Sequence, residues 1–115
     1  MSDKPLVWVG SSLDDTRTFP SEARRAVGYQ LRRVQSGLMP TDWKPMTTVG
    51  PGVHEIRIRV GGEHRVIYIA RYAEAVYVLH AFQKKTRSTP TADLDLARRR
   101  LSDVLRLRRH GEEKK

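Results

Sequence analysis

The sequence has 115 residues, the size of one small domain. It contains no cysteine, which excludes a disulfide scaffold, a thiolate metal site and a cysteine nucleophile. Only 38% of the residues are apolar, so no segment is expected to cross a membrane, and the N-terminus lacks a secretory pattern, which predicts a cytoplasmic protein. Lysine and arginine number 22 against 13 acidic residues. The resulting charge of +9 either keeps the protein in solution or favours a polyanionic partner: nucleic acid, a ribosome or an acidic protein.

The first half of the chain predicts one strand and one clear helix. The apolar run 6–9 is typical of a strand. Pro20 opens a helix whose apolar residues recur at helical spacing along one stripe. Residues 39–52 contain several prolines and glycines and predict an irregular connection, with Trp43 and Met46 folding back over the core.

The middle of the chain predicts three consecutive antiparallel strands. In residues 53–60, apolar residues alternate with charged ones, so this strand has one buried and one charged face. The glycines at 61–62 form a two-residue turn that leads into 65–70, a run that is apolar on both faces and therefore predicts a central strand. Residues 75–82 complete the meander.

A basic turn and a long amphipathic helix close the chain. Thr89 and Pro90 are typical of a helix N-terminus. The helix has an apolar stripe, and its other faces carry arginines, Arg100 among them. Leu96 and Leu107 lie together off the stripe, which leaves a modest apolar patch for a partner.

These elements predict one domain over residues 1–115. Its core spans about 5–105, and residues 110–115 form a polar tail. The order of strand, helix, three-strand meander and helix predicts an α+β fold with a small antiparallel sheet.

Most familiar catalytic patterns are missing from this sequence. It has no glycine-rich phosphate loop, no nucleophile elbow, no histidine spacing typical of a metal site and no two carboxylates at a spacing that indicates a catalytic pair. Neither a metal nor a cofactor is therefore expected. Metal-dependent nuclease chemistry is disfavoured for the same reason.

The predicted sheet offers cations instead. In a meander, the start of the middle strand lies beside the end of the first and of the third, so Arg59, Arg65 and Lys84 are expected to converge, with Arg57 further in and Lys85 following. Arginine forks bind phosphate, and crowded cations lower the pKa of a lysine until it can donate a proton. The set therefore fits phosphate binding, metal-free attack of a ribose 2′-hydroxyl on its own phosphate, or an ordinary basic strand face.

Three short sequence motifs resemble those of a known family. Glu-Ile-Arg at 55–57, Arg-Val-Ile-Tyr at 65–68 and Leu-His-Ala-Phe-Gln-Lys-Lys-Thr at 79–86, in this order, resemble the RelE/HigB superfamily of bacterial type II toxins, in particular its phage-derived branch. The resemblance extends over about 5–105. It implies a microbial-ribonuclease-like sheet with helices packed on one face.

The resemblance also implies activity and partners. It implies a toxin that enters the ribosomal A site, against 16S rRNA, and cuts mRNA without a metal, leaving a 2′,3′-cyclic phosphate. It implies a cognate helix-turn-helix antitoxin, and contact with operator DNA only through that antitoxin.

Site residues carry over from the resemblance position by position. Arg65 would stabilise transition-state charge, and Lys84 or Lys85 would protonate the leaving 5′-oxygen. The family's basic position on the preceding strand matches Arg57, which would position the scissile phosphate, with Arg59 as the alternative match. The tyrosine that some members carry before the last helix has no counterpart in 87–90, so the general base stays open. The remaining predicted RNA contacts are Arg59, Arg87, His80 and Phe82, and His80 is either a catalytic base or a structural residue.

Two other functions stay open. A gyrase-inhibiting, ParE-like toxin would share the fold without nuclease activity. A non-catalytic basic module would bind RNA or the ribosome and cut nothing.

Overall fold

The computed structural model describes residues 3–113. In this range the chain forms five strands and three helices. In chain order they are β1 (Leu6–Trp8), α1 (Ser12–Arg17), α2 (Ser21–Gln35), β2 (Trp43–Pro45), β3 (Val53–Ile58), β4 (His64–Ile69), β5 (Val76–Gln83) and α3 (Thr91–Glu113).

The strands form one mixed sheet in the order β1-β5-β4-β3-β2. The meander β3–β4–β5 is antiparallel and β1 pairs with β5 in parallel, so the predicted α+β class, meander and N-terminal strand are confirmed. The segment expected to be irregular contributes β2, since Trp43–Pro45 pairs with the free edge of β3. Met46 is buried in the core as predicted, whereas Trp43 is only half-buried.

The helices pack on opposite faces of the sheet, so the expectation that they share one face is wrong. On one face, α2 buries Val27 and Leu31 against Ile56 and its neighbours. On the other, α3 buries Ala97 and Leu101 with the other strand residues. The reason is β4, whose six residues are all buried, since a strand that is apolar on both faces needs cover on both.

The last helix extends into the predicted polar tail. It continues through Glu113, and residues 114–115 lie outside the described range. The end of the helix is held by Arg108, which lies over the Tyr72 ring (3.7 Å from the centroid) and pairs with Glu74 (2.7 Å). The hydrogen bond from Arg108 lowers the pKa of Glu74 to about 2.

Arg100 does not belong to the outward arginines of α3. It is buried and donates hydrogen bonds to the carbonyl oxygen of Leu79 (2.9 Å) and to Ser11 Oγ (2.8 Å). This side chain therefore joins α3 to β5 and to the start of α1. Within residues 3–113, no helix is long and apolar enough to cross a membrane.

Candidate functional site

The predicted cations meet on the face of the sheet that α3 partly covers. Arg57 lies directly opposite Arg65, and Lys44 directly opposite Glu55, and cross-strand partners share a face. The Thr89 hydroxyl, just before α3, contacts Glu55, so this group lies beyond the N-terminal end of the helix. We call Lys44, Arg57, Arg65 and Lys84 the basic cluster.

Arg65 occupies the centre of the basic cluster and is almost completely enclosed. Its side chain is only 3% exposed. Nη2 donates to Glu63 Oε2 (3.0 Å) and Nη1 to the carbonyl oxygen of His64 (3.1 Å). Nε lies 3.4 Å from Glu55 Oε1, and neither of these two buried atoms makes a hydrogen bond. The guanidinium is thus neutralised by two carboxylates, one inside the protein and one at its surface.

Glu55 is the buried counter-charge of the cluster. Its side chain is 0% exposed, yet it lies among cations: Lys44 Nζ is 3.8 Å and Arg65 Nε 3.4 Å from Oε1. The Thr89 hydroxyl donates to Oε2 at 3.1 Å. A buried carboxylate is tolerated only when it is paired, so Glu55 fixes the positions of the surrounding cations.

Arg57 and Arg59 form the accessible side of the site. Both pair with Asp42, at 3.6 Å and 3.1 Å respectively. The Arg57 side chain is 29% exposed and belongs to the face of Arg65, so it can contact a ligand without displacing a buried group. Exposed ion pairs of this kind are weak and exchange readily.

Lys84 lies at the end of β5, next to the turn that precedes β4. Its backbone N–H donates to the carbonyl oxygen of Glu63 (2.8 Å), which ties the two segments together. Desolvation, followed by the positive charge of Arg65, lowers the pKa of Lys84. Lys85 and Arg87 are exposed in the loop 84–90 that leads into α3.

His80 and Phe82 lie beneath the surface rather than on it. The two rings are stacked, with centroids 5.1 Å apart. His80 Nε2 is 2.6 Å from Asp93 Oδ1, and Arg100 Nη1 is 3.4 Å from Nδ1. Both ring nitrogens therefore have protein partners, and the stack supports β5 from within the fold. This geometry favours the structural reading of His80 over the catalytic one.

A cleft of about 520 Å³ adjoins the cluster along the part of β5 that extends beyond its pairing with β1. Phe82 belongs to its lining and is the cross-strand neighbour of Arg65, so the cleft begins one strand away from the central arginine. Phe19 and His64 pack against each other in the same lining (centroids 4.3 Å apart). Burial lowers the pKa of His64, as does the nearby charge of Arg65.

The structure brings together most of the cations that the sequence singles out, and adds groups that the sequence reading missed. Lys44 enters through β2, which was not predicted. Glu55 shares the parity of Arg57 on the strand, a signal that could have placed it in the site. Glu63 and Asp42 pair with the arginines through side-chain conformations, for which the sequence carries no signal. In the described range, no three acidic or histidine side chains are placed to hold a metal ion.

Comparison with known families adds a relationship to this geometry. Residues 14–102 match the family described as phage derived protein Gp49-like (DUF891). The chain belongs to this family. It is a RelE-like toxin family, related to the toxins of toxin–antitoxin systems, and the matched range contains the whole basic cluster. No curated protein gives a significant match to the chain.

Proposed function

We propose that this Gp49-like protein is the toxin of a type II toxin–antitoxin system, a RelE/HigB-type endoribonuclease that cuts mRNA in the ribosomal A site without a metal. The observation that carries the proposal is the basic cluster, in which two arginines face each other across neighbouring strands. Beside them stands a lysine whose pKa is lowered. Arginine forks can bind the oxygens of a phosphodiester and stabilise its transition-state charge, and a lysine with a lowered pKa can protonate the leaving oxygen.

The proposed reaction assigns one task to each cation. Arg57 holds a non-bridging oxygen of the scissile phosphate, and Arg65 stabilises the charge that builds up as the 2′-oxygen attacks phosphorus. The positive field of the cluster favours loss of the 2′-hydroxyl proton, which passes to solvent water. The bond from phosphorus to the 5′-oxygen breaks, Lys84 gives that oxygen a proton, and a 2′,3′-cyclic phosphate remains.

The charge of the whole protein supports a ribosomal site of action. A net charge of +9 favours association with rRNA, and its effect on binding is strongest at low salt. Exposed arginines lie on α2, Arg24 and Arg25 among them. We assign this surface to contact with 16S rRNA, and we place the protein in the cytoplasm with its ribosomes.

A helix-turn-helix antitoxin is the partner that we propose, with operator DNA contacted only through it. The family relationship supports an antitoxin. On α3, Leu107 is 69% exposed and offers an apolar anchor for such a partner, whereas Leu96 is half-buried and adds less. A short helix-turn-helix reading frame beside the gene would support this partner.

The function is tested in a translation reaction with purified ribosomes and one defined message, with the protein added or omitted. Primer extension maps new 5′ ends, and the 3′ ends of the upstream fragments are analysed chemically. We expect cuts only in translated message, within the A-site codon, with a 2′,3′-cyclic phosphate on the upstream fragment.

Other results would redirect the proposal. Cutting of free RNA would retain the chemistry and remove the ribosome from it. A 5′-phosphate on the downstream fragment would contradict attack by the 2′-hydroxyl. Uncut message with gyrase-dependent DNA damage would indicate the ParE-like alternative, and uncut message with tight binding would indicate a non-catalytic module.

A further inference from the structure

Arg65 presents a difficulty for any ligand that approaches the basic cluster. Its side chain is 3% exposed, so a phosphate cannot reach the guanidinium in the conformation that the structure shows. Two of its partners, Glu55 and the carbonyl oxygen of His64, belong to the buried interior. The third, Glu63, has a side chain that is 49% exposed, and it therefore closes the solvent side of the guanidinium.

We propose that Glu63 is an internal competitor for the phosphodiester: its carboxylate occupies the anion position on Arg65 and must move away when RNA binds. The contact resembles an arginine–phosphate contact, since Glu63 Oε2 accepts a hydrogen bond from Arg65 Nη2 at 3.0 Å, as a phosphate oxygen would. The inference rests on the proposed function only in taking the ligand to be a phosphodiester.

The surroundings of Glu63 allow the carboxylate to leave without unfolding the site. Glu63 follows two glycines with positive φ (66° and 96°), but its carbonyl oxygen is fixed by the Lys84 N–H (2.8 Å). Release therefore needs rotation of the side chain, not opening of the turn. A half-exposed ion pair shifts a binding equilibrium by about fivefold at most, so a phosphate that contacts several cations can displace it.

Arg65 has a donor without a hydrogen-bond partner, which allows its guanidinium a second position. Its Nε and Glu55 Oε1 are both buried, lie 3.4 Å apart and lack any hydrogen-bond partner. Unsatisfied buried groups are unfavourable, so the guanidinium gains if it shifts onto Glu55 once Glu63 is gone. Glu55 would then hold the arginine from inside while its outer edge takes the phosphate.

The test uses Glu63→Gln in the full chain and a fluorescent single-stranded 2′-deoxy oligonucleotide, which cannot be cleaved by 2′-hydroxyl attack. The control is Asp103→Asn, which removes the same charge from a carboxylate that is also half-exposed (51%) and also paired with an arginine, Arg106. We expect the Kd of Glu63→Gln for the oligonucleotide to be about threefold to fivefold lower than that of Asp103→Asn. Equal effects of the two variants, or no saturable binding by either Glu63→Gln or wild type, would overturn the inference.

A second measurement assigns the gain to Arg65. Arg65→Lys keeps a cation beside Glu55 and is therefore expected to fold, which a thermal melt verifies. In this background the extra gain from Glu63→Gln should disappear, and its persistence would overturn the inference. Because the oligonucleotide is never cut, failure of the ribosome assay would refute the nuclease proposal and leave this result standing.

Discussion

Arg65 and Glu55 depend on each other, and this decides which substitutions report on function. Arg65 is the central cation of the site and at the same time a counter-charge for a fully buried carboxylate. We expect its replacement to change stability as well as the proposed chemistry, whereas Arg57 is partly exposed and pairs with the surface residue Asp42. Arg57 is therefore the cleaner probe of the site.

Arg65→Ala is expected to destabilise the protein by about 3–5 kcal/mol, because it leaves Glu55 charged, buried and without its nearest cation. Urea unfolding followed by circular dichroism measures this loss. Adding Glu55→Gln to Arg65→Ala should recover part of the stability, since the orphaned charge is removed. An Arg65→Ala protein as stable as wild type would show that the pair does not hold the site together.

The role proposed for Lys84 predicts how the cleavage rate depends on pH. Its pKa is lowered, chiefly by desolvation and by Arg65, and a general acid must be protonated to act. The cleavage rate should therefore fall as the pH rises, with a midpoint below 10.5, the ordinary value for lysine. Lys84→Arg stays protonated throughout and should remove this alkaline limb while lowering the rate.

Lys85→Arg is the matched comparison for Lys84→Arg. Lys85 is exposed in the neighbouring position, so its replacement should keep the alkaline limb. Rates are measured from about pH 7 upward on ribosome complexes that remain intact over the range used. An alkaline limb lost in Lys85→Arg and kept in Lys84→Arg would transfer the role of the acid to Lys85.

At the scale of elements, one buried arginine joins α3 to the rest of the fold. Arg100→Ala should cost about 3 kcal/mol, because the carbonyl oxygen of Leu79 and the Ser11 hydroxyl lose their donor and a cavity remains. Arg99→Ala, at the adjacent exposed position, should change stability by no more than about 0.5 kcal/mol. Equal melting temperatures for the two variants would contradict the anchoring role of Arg100.

The patterning of the sequence predicts the elements better than their arrangement. The alternation in 53–60 and the apolar run 65–70 correctly indicate two strands, and the second of them, β4, is central and buried on both faces. The same run also carried the information that both faces need helices, but the resemblance led to the opposite expectation. β2 was missed because it is three residues long and exists only through pairing with β3.

The ends and registers of elements depend on contacts that are distant in the sequence. α3 continues to Glu113 because Arg108 finds Glu74 and Tyr72, some 35 residues away. The strands β4 and β5 shift register between Ile67 and Tyr68, a bulge without a marker in the sequence.

At the scale of the whole molecule, the meander explains both what could and what could not be predicted about the site. Strand connectivity alone places Arg57, Arg65 and Lys84 together, so the cations were foreseeable. Their neutralisation by Glu55, Glu63 and Asp42 depends on side-chain conformations and on the segments just before β2 and β4, so the enclosure of Arg65 was not foreseeable. The surplus of positive charge is distributed over both helical layers, whereas the basic cluster is confined to one face of the sheet.

The central claim is that the basic cluster cleaves message on the ribosome. It is tested most directly by single-turnover cleavage of a defined ribosome complex with a vacant A site, comparing wild type, Arg57→Ala and Arg106→Ala. Arg106 is the control: like Arg57 it pairs with one surface aspartate, although its side chain is more exposed (68% against 29%).

We expect wild type to cut within the A-site codon and Arg57→Ala to be at least about a hundredfold slower, because a donor to transition-state charge is lost. Arg106→Ala should stay within about threefold of wild type, as expected for a single peripheral charge. Intact message with wild-type protein, or equal rates for wild type and Arg57→Ala, would contradict the account.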